Sequence, residues 1–421
     1  MSKRVAISLS AVLCIGIAVA VVLSAGGGSA PTAPSASVIA EPVTAEAVIA
    51  EPVIAEPVIA VLSTQESTTT PRAEVGALSR EAAWRAAGEY SREANGEFLL
   101  VMQDGKVIYE DGIGGWNRTR PHPLASGTKS FTGVAAMLAV QQGLFALDDK
   151  VSDTITEWKS DPRKREITVR QLLNLSSGIE ADSEDNRKRN RTLATGNSVQ
   201  RLRAAAGQRD DFHAQAVRAP MLHEAGTRFE YGANHFYAFT EFLERTLRAR
   251  DVAPSTAWEW YEKNLFDPIG MKVARIGRDR QGHANVAGGA SLTAEEWAKF
   301  GEFVRLGGRV RSADGSDVQV LRSDLLQQCF EPSQRNARYG LTWWLAPRRA
   351  PTDLPGVFMA AGLGKQRLYV VPSARLVVVR FAPINSERSG FSDSRLLALI
   401  LEAVGEEPIP SDDISVRSPT D

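Results

Sequence analysis

Apolar positions along the chain recur in several distinct patterns. Behind Lys3-Arg4, residues 5–23 are almost uninterruptedly apolar, about 28 Å as a helix and enough to cross a bilayer. From Ser79 the spacing becomes helical. Ala82, Ala83, Ala86, Ala87 and Tyr90 line one face of a helix predicted to run to about Ala94, with Ser79 as its cap. Two strands follow, residues 98–102 and 106–110, joined across Gln103-Asp104-Gly105, where glycine supplies the positive φ of a tight hairpin. Near the far end, residues 357–361, 366–371 and 376–381 read as three more strands, and Asp393 as the cap of a helix over 394–403. Strands with such short links pair antiparallel. The two chain ends are therefore expected in one antiparallel sheet flanked by helices, with a mostly helical region inserted between them, an α+β fold.

Composition by segment sets the domain limits. Residues 1–25 are read as a signal peptide cut near Ser24-Ala25-Gly26 or as an uncleaved transmembrane anchor, so the remainder is expected to be exported. Either way the chain meets the membrane only through this segment and is membrane-anchored, periplasmic or extracellular. Residues 26–73 are Pro- and Ala-rich with imperfect Glu-Pro-Val-Ile-Ala repeats, an extended linker. Residues 405–421 form an acidic tail expected to be disordered, which leaves 74–404 for one domain. With 49 Lys+Arg against 50 Asp+Glu there is no field to attract nucleic acid. Two cysteines, Cys14 and Cys329, cannot build a disulfide framework. No Cys or His cluster has zinc-ligand spacing, so no metal is predicted.

The chemistry concentrates at Ser126-Gly127-Thr128-Lys129. Phe131, Val134, Ala135, Leu138 and Ala139 continue as an apolar helical face, so Ser126 opens a helix and Lys129 stands one turn on, on the same side. A serine hydroxyl is a weak nucleophile at neutral pH. A neighbouring amine whose pKa is lowered by burial can take its proton, and a helix N-terminus favours a developing oxyanion. By itself Ser-x-x-Lys occurs by chance in chains of this size, as an N-cap beside a surface lysine.

Further segments follow in a telling order. Gln142-Gly143-Leu144 through Val151, and Ile167 through Gly178-Ile179, come first. Then come Gly226-Thr227-Arg228-Phe229-Glu230-Tyr231, Ala287-Gly288-Gly289-Ala290, Tyr339-Gly340-Leu341-Thr342-Trp343-Trp344, and Gly362-Leu363-Gly364-Lys365-Gln366 before Val370-Val371-Pro372. The set resembles the serine β-lactamase-related hydrolases, which include class C β-lactamases, D,D-peptidases, esterases and 6-aminohexanoate-dimer hydrolases. The resemblance covers nearly all of 74–404.

It implies that Ser126 is the acylated nucleophile, Lys129 the residue that activates it, and Tyr231 the third member, which moves protons and protonates the leaving group. It also implies an oxyanion hole from the backbone N–H groups of Ser126 and Leu363, with Gly362 letting the strand edge come close. Two departures stand out. Relatives often carry Asn two residues after the tyrosine, whereas here Asn234 follows one position late. The usual Lys- or His-Thr-Gly of the bordering strand is replaced by Ala360-Ala361-Gly362, which removes a cation that binds substrate carboxylates.

Asn234, His235, Trp343, Trp344 and Gly362 are the expected substrate contacts, with one of the two tryptophans facing the core and the other the cleft. The charged run 180–191 reads as a solvated loop at the mouth of the helical region. These features imply a cofactor-free serine hydrolase for a small ester or amide, in the esterase or amidase branch. Two alternatives stay open: a D,D-peptidase or β-lactamase acting on peptidoglycan or β-lactams, and a non-catalytic binding module of the same fold.

Overall fold

Ser79 starts the first helix as its sequence predicts, its Oγ accepting the N–H of Ala82 at 3.2 Å. A computed structural model describes residues 79–200, 204, 211–311, 315–345 and 356–405. The apolar run 5–23, the Pro-rich linker and the acidic tail beyond Gly405 lie outside the described residues. Among those described, no helix is long and apolar enough to cross a membrane.

Helix α1 (Arg80–Glu93) leads into strands β1 (Phe98–Gln103) and β2 (Lys106–Gly112), whose two-residue turn puts Asp104 and Gly105 at φ +50° and +76°. The remaining strands are β3 (His122–Pro123), β4 (Arg275–Ile276), β5 (Ala290–Leu292), β6 (Arg309–Arg311), β7 (Asp317–Gln319), β8 (Trp344–Leu345), β9 (Phe358–Gly362), β10 (Gln366–Val371) and β11 (Leu376–Phe381). The main sheet runs β2-β1-β11-β10-β9-β8, antiparallel throughout. Phe98 pairs with Phe381 and Gln103 with Leu376, so the first and last strands of the domain meet in its middle, as the strand patterns predict.

The helical elements used below are α2 (Ser130–Gln141), α3 (Glu184–Thr195), α4 (Phe212–Arg218), α5 (Asn234–Ala249), α6 (Ala294–Arg305) and α7 (Asp393–Val404). Both faces of the sheet are covered, and its central strands are buried without alternation for that reason. On one face Leu99, Val101, Tyr369 and Val378 pack on Ala87 and Tyr90 of α1 and on Leu396, Leu397 and Ile400 of α7. On the other, Phe98, Leu100, Leu368, Val377 and Val379 meet Phe131 of α2, Trp297 and Phe300 of α6, and the inserted helical region.

Three local expectations change. The cap of α7 is Ser392, not Asp393: Ser392 Oγ accepts the N–H of Arg395. The Asp393 carboxylate is drawn to buried Arg367 (2.6 Å) and to the Tyr369 hydroxyl, and a buried guanidinium outcompetes a backbone N–H for it. The charged run is not a loop throughout, because α3 starts within it. Ser183 caps that helix, and Glu184 and Asp185 in its first turn complement its dipole. Helix α2 buries every residue from Ser130 to Ala139, where the apolar pattern predicts a single buried face.

Candidate active site

Ser126 lies on a 3-10 turn, Ala125–Lys129, that precedes α2 rather than within its first turn. Ala125 takes φ +48°, an uncommon conformation for a residue with a Cβ, and the turn is braced to hold it. Gly127 N–H donates to Leu124 O (3.0 Å), and Leu124 N–H to Ala290 O on β5 (2.9 Å). Thr128 Oγ1 donates to Ala125 O (2.8 Å) and accepts the N–H of Ala290 (3.2 Å).

Lys129 is 5% exposed, and its Nζ donates to Ser126 Oγ at 3.0 Å, the contact the i, i+3 spacing predicts. A second acceptor is the Ala287 carbonyl, supplied by the Ala-Gly-Gly-Ala segment before β5. The rings of Tyr231 and Phe236 lie 5.1 and 5.3 Å from Nζ. A carbonyl and two aromatic faces thus surround the amine.

The Tyr231 hydroxyl faces Ser126, which favours its ionised form. Burial pushes its phenol up to about 12, with the Asp182 charge in the same direction and Ser126 and Arg367 opposing. Tyr231 is therefore a neutral phenol at neutral pH. Around it, Trp344 stacks at 5.6 Å, Tyr339 stands edge-on at 6.3 Å, and Phe229 meets both Tyr339 and Trp344, an aromatic wall from two separate segments.

Strand β9 closes the site. An ideal Cβ on Gly362 would lie 2.0 Å from Leu124 O and 3.1 Å from Gly127 N, so only glycine lets this strand touch the serine turn. The N–H groups of Ser126 and Leu363 belong to the two elements joined at that contact. Ala360, where relatives carry a cation, is 2% exposed within the apolar core. Lys365 sits on the tight turn between β9 and β10, at φ +64°.

Two expected substrate contacts, Asn234 and His235, are corrected, and Trp343 is the member of the tryptophan pair that lies in the core. Asn234 is 1% exposed and its amide is committed elsewhere, Nδ2 to Glu180 O (2.8 Å) and Oδ1 to Gln215 Nε2 (2.6 Å). The cause is Gly232, where the chain presses on Ala181 so closely that a Cβ would lie 2.2 Å from its carbonyl oxygen. That pins the start of α5 to the 180–182 segment. His235 is equally buried, bonded to Ser177 Oγ (2.9 Å) and Glu230 O (2.9 Å). Burial, with a contribution from Lys129, holds its imidazole down at about 4, so it is neutral beside that cation. Trp343 is fully buried against Phe300, Phe330 and Phe358. Trp344, the half-buried member of the pair, is the one at Tyr231.

Sequence reasoning missed Asp182, Ala287, Phe229 and Tyr339. All four lie in segments already singled out, but nothing in their spacing indicated which atoms would face Lys129 and Tyr231.

Known proteins share parts of this sequence and its fold. Protein flp of Staphylococcus aureus strain MW2 is 33% identical over 205 residues, 42% of this chain and 38% of that protein. Lovastatin esterase of Penicillium rubens is 28% identical over 167 residues, 35% of this chain and 37% of the esterase. The chain thus aligns with well under half the length of these curated relatives. Among solved structures, the octameric penicillin-binding protein homologue from Pyrococcus abyssi superposes with a TM-score of 0.59 at 17% identity, covering 79% of this chain and 78% of that one. The beta-lactamase family model matches residues 66–402. With that match spanning most of its length, the chain belongs to the beta-lactamase family, whose members are generally serine hydrolases.

Proposed function

We propose that the protein hydrolyses a small, uncharged ester or linear amide through an acyl-enzyme on Ser126. The observation that carries this reading is the convergence of Ser126 Oγ, Lys129 Nζ and the Tyr231 hydroxyl, with β9 touching the serine turn at Gly362. Ser126 Oγ bonds to the substrate carbonyl carbon while its proton passes to Tyr231 Oη, and Tyr231 gives its own proton to the departing oxygen or nitrogen. A neutral phenol can serve both halves of this relay because it neither stores nor loses net charge. The Lys129 ammonium stabilises charge developing on Ser126 Oγ, and the N–H groups of Ser126 and Leu363 receive the carbonyl oxygen. Water then attacks the acyl carbon, its proton returns through Tyr231 to Ser126 Oγ, and the acid leaves.

The branch follows from what surrounds these groups. A methyl at Ala360 offers nothing to a substrate carboxylate, while Phe229, Tyr231 and Trp344 offer aromatic surface, so a neutral acyl or leaving group fits better than a β-lactam or a peptide C-terminus. The part-length similarity to a lovastatin esterase points the same way. We place the domain outside the cytoplasm, tethered through residues 5–23. Protease treatment of spheroplasts that leaves it uncut would overturn that placement.

The decisive test of function is fluorophosphonate labelling of the folded chain with mass mapping, alongside turnover of p-nitrophenyl esters. Label is expected on Ser126 alone, with both signals lost in Ser126→Ala. Ester turnover that survives Ser126→Ala refutes the reading. Rapid penicillin turnover would instead favour the β-lactamase reading, and inactivity on a broad ester and amide panel the binding-module reading.

A further inference from the structure

The turn that carries Leu363 has no ladder to hold it. Pairing between β9 and β10 stops at Gly362 opposite Gln366, so Leu363, Gly364 and Lys365 take their shape from other contacts. One buried side chain reaches across them. Gln366 opens β10 and is fully buried, and alternation along the strand puts it on the face of Leu368, the face that packs toward Leu124 and Phe131.

Its amide is used at both ends. Oε1 accepts the Ala382 N–H at 3.0 Å, and Nε2 donates to the carbonyls of Ala382 and, at 3.2 Å, Leu363. The orientation is forced, because a reversed amide would set its oxygen against two carbonyls and its nitrogen against an N–H. Ala382 follows the end of β11, so the amide stands in for a strand partner there, and its second proton reaches back over the turn to Leu363. The packing around it is tight. A Cβ on Gly364, at φ +80°, would lie 2.5 Å from Pro383 O and 2.9 Å from Gln366 Nε2, so the turn rests on the amide itself. Lys365 O is held separately, by Arg380 Nη1 at 3.1 Å.

We infer that Gln366 is a positioning residue for the oxyanion hole, which by holding the Leu363 carbonyl fixes the direction of the Leu363 N–H. Two rotatable bonds, φ and ψ, relate the two peptides that Leu363 joins. The preceding peptide is set by the Gly362 pairing and by the contact of Gly362 with Leu124 O; the following one is set by Gln366. Without the second restraint both angles relax, and the donor loses the aim that a preorganised hole requires. Because Arg380 keeps Lys365 in place, loss of the amide frees the Leu363 end without unravelling the turn. The inference rests on the reading that Ser126 is acylated and that the Leu363 N–H receives the carbonyl oxygen.

The test compares full-length wild type, Gln366→Met and Gln366→Glu on p-nitrophenyl acetate and on the thionoester in which sulfur replaces the carbonyl oxygen. Methionine matches the length without the amide. Glutamate keeps an acceptor for the Ala382 N–H but, ionised, has no proton for Leu363 O, so it serves if Gln366→Met does not fold. Sulfur is a larger and poorer acceptor, so an aligned hole prefers the oxygen ester. In both variants kcat for the oxygen ester should fall about 10- to 100-fold with KM within about threefold, and the preference for oxygen over sulfur should shrink about tenfold. A loss that is merely structural lowers both substrates together and keeps the preference. Gln103→Met removes a comparable bond, to Ala374 O at 3.2 Å, at the other end of β11 and should leave the preference unchanged. An unchanged preference in a folded Gln366 variant, with wild type labelled by fluorophosphonate at Ser126, overturns this inference alone. A wild-type chain that is not acylated at Ser126 overturns it together with the function it rests on.

Discussion

Replacing Gly362 by alanine isolates the contact between β9 and the serine turn without touching any side chain assigned to the chemistry. The added Cβ would stand 2.0 Å from Leu124 O, and real Cβ atoms stay at least 3.0 Å from such an atom, so strand and turn must separate by about 1 Å. Leu124 O already accepts the Gly127 N–H, and Leu124 N–H is bonded to β5, which leaves the turn little room to retreat. Most of the shift therefore falls on β9 and carries the Leu363 N–H away from the Ser126 N–H. Loss of one oxyanion donor costs about 10²- to 10³-fold in kcat, and a displacement of this size in a positioned site costs about 10²-fold. Overpacking should add roughly 1–3 kcal/mol of destabilisation. The assay is the second-order rate of fluorophosphonate labelling, whose phosphoryl oxygen must enter the same hole, measured beside p-nitrophenyl ester kinetics and urea unfolding. A fall in both rates of about 100-fold, in a chain still cooperatively folded, is the expected outcome. A Gly362→Ala protein that labels and turns over within about threefold of wild type would show that the β9 contact is not part of an oxyanion hole.

Other perturbations test other parts of the construction. Asp182→Asn removes a negative charge that raises the Tyr231 phenol, so the Tyr231 titration followed by 13Cζ NMR should move to lower pH; an unmoved or raised midpoint contradicts the electrostatic assignment. Trp344→Ala removes the ring stacked at 5.6 Å on Tyr231 and should raise KM for aryl esters several-fold more than for acetyl esters of small alcohols. Equal effects on both would mean that the ring does not contact substrate. Asp393→Ala strands the buried Arg367 guanidinium and should cost about 3–5 kcal/mol in urea unfolding, whereas a loss below about 1 kcal/mol would mean that the pair is effectively solvated.

The sheet was legible in the sequence because its signals are local. Asp104-Gly105 sets a two-residue hairpin, and β-branched runs such as Leu376–Phe381 have few alternatives to a strand buried on both faces. Ser126 and Lys129 were legible for the same reason, since three residues of helical rise fix their relation. What local spacing does not encode is the side to which a side chain turns after a long-range contact forms. Asn234 is drawn to Glu180 O because Gly232 lets the 180–182 segment press on the tyrosine turn, and Asp393 abandons a cap for Arg367 on a distant strand. In both cases a polar group chose the partner that burial made more costly to leave unpaired. The helix over Glu184–Thr195 had a readable start in Ser183-Glu184-Asp185, but a run polar on every face gives no hydrophobic period from which to infer a helix.

The same reasoning explains why the site sits where it does. Ala125 at φ +48° and a lysine 5% exposed are both costly, and each is tolerated only because rigid structure surrounds it. β5 supports the turn through Ala290, the loop before β5 satisfies Lys129 through the Ala287 carbonyl, and β9 presses on the turn from the other side. Ser126 is thus held by two strands of different sheets and by a loop whose middle carries His283. A shift in that loop moves an acceptor of Lys129 directly, and it reaches Tyr231 through the cation facing its ring. The activity of Ser126 should therefore respond to substitutions around His283 and Asp279 that leave the sheet unchanged, and it should respond least to changes on the α1 and α7 face, where the packing of Tyr369 and Arg367 lies behind the strands.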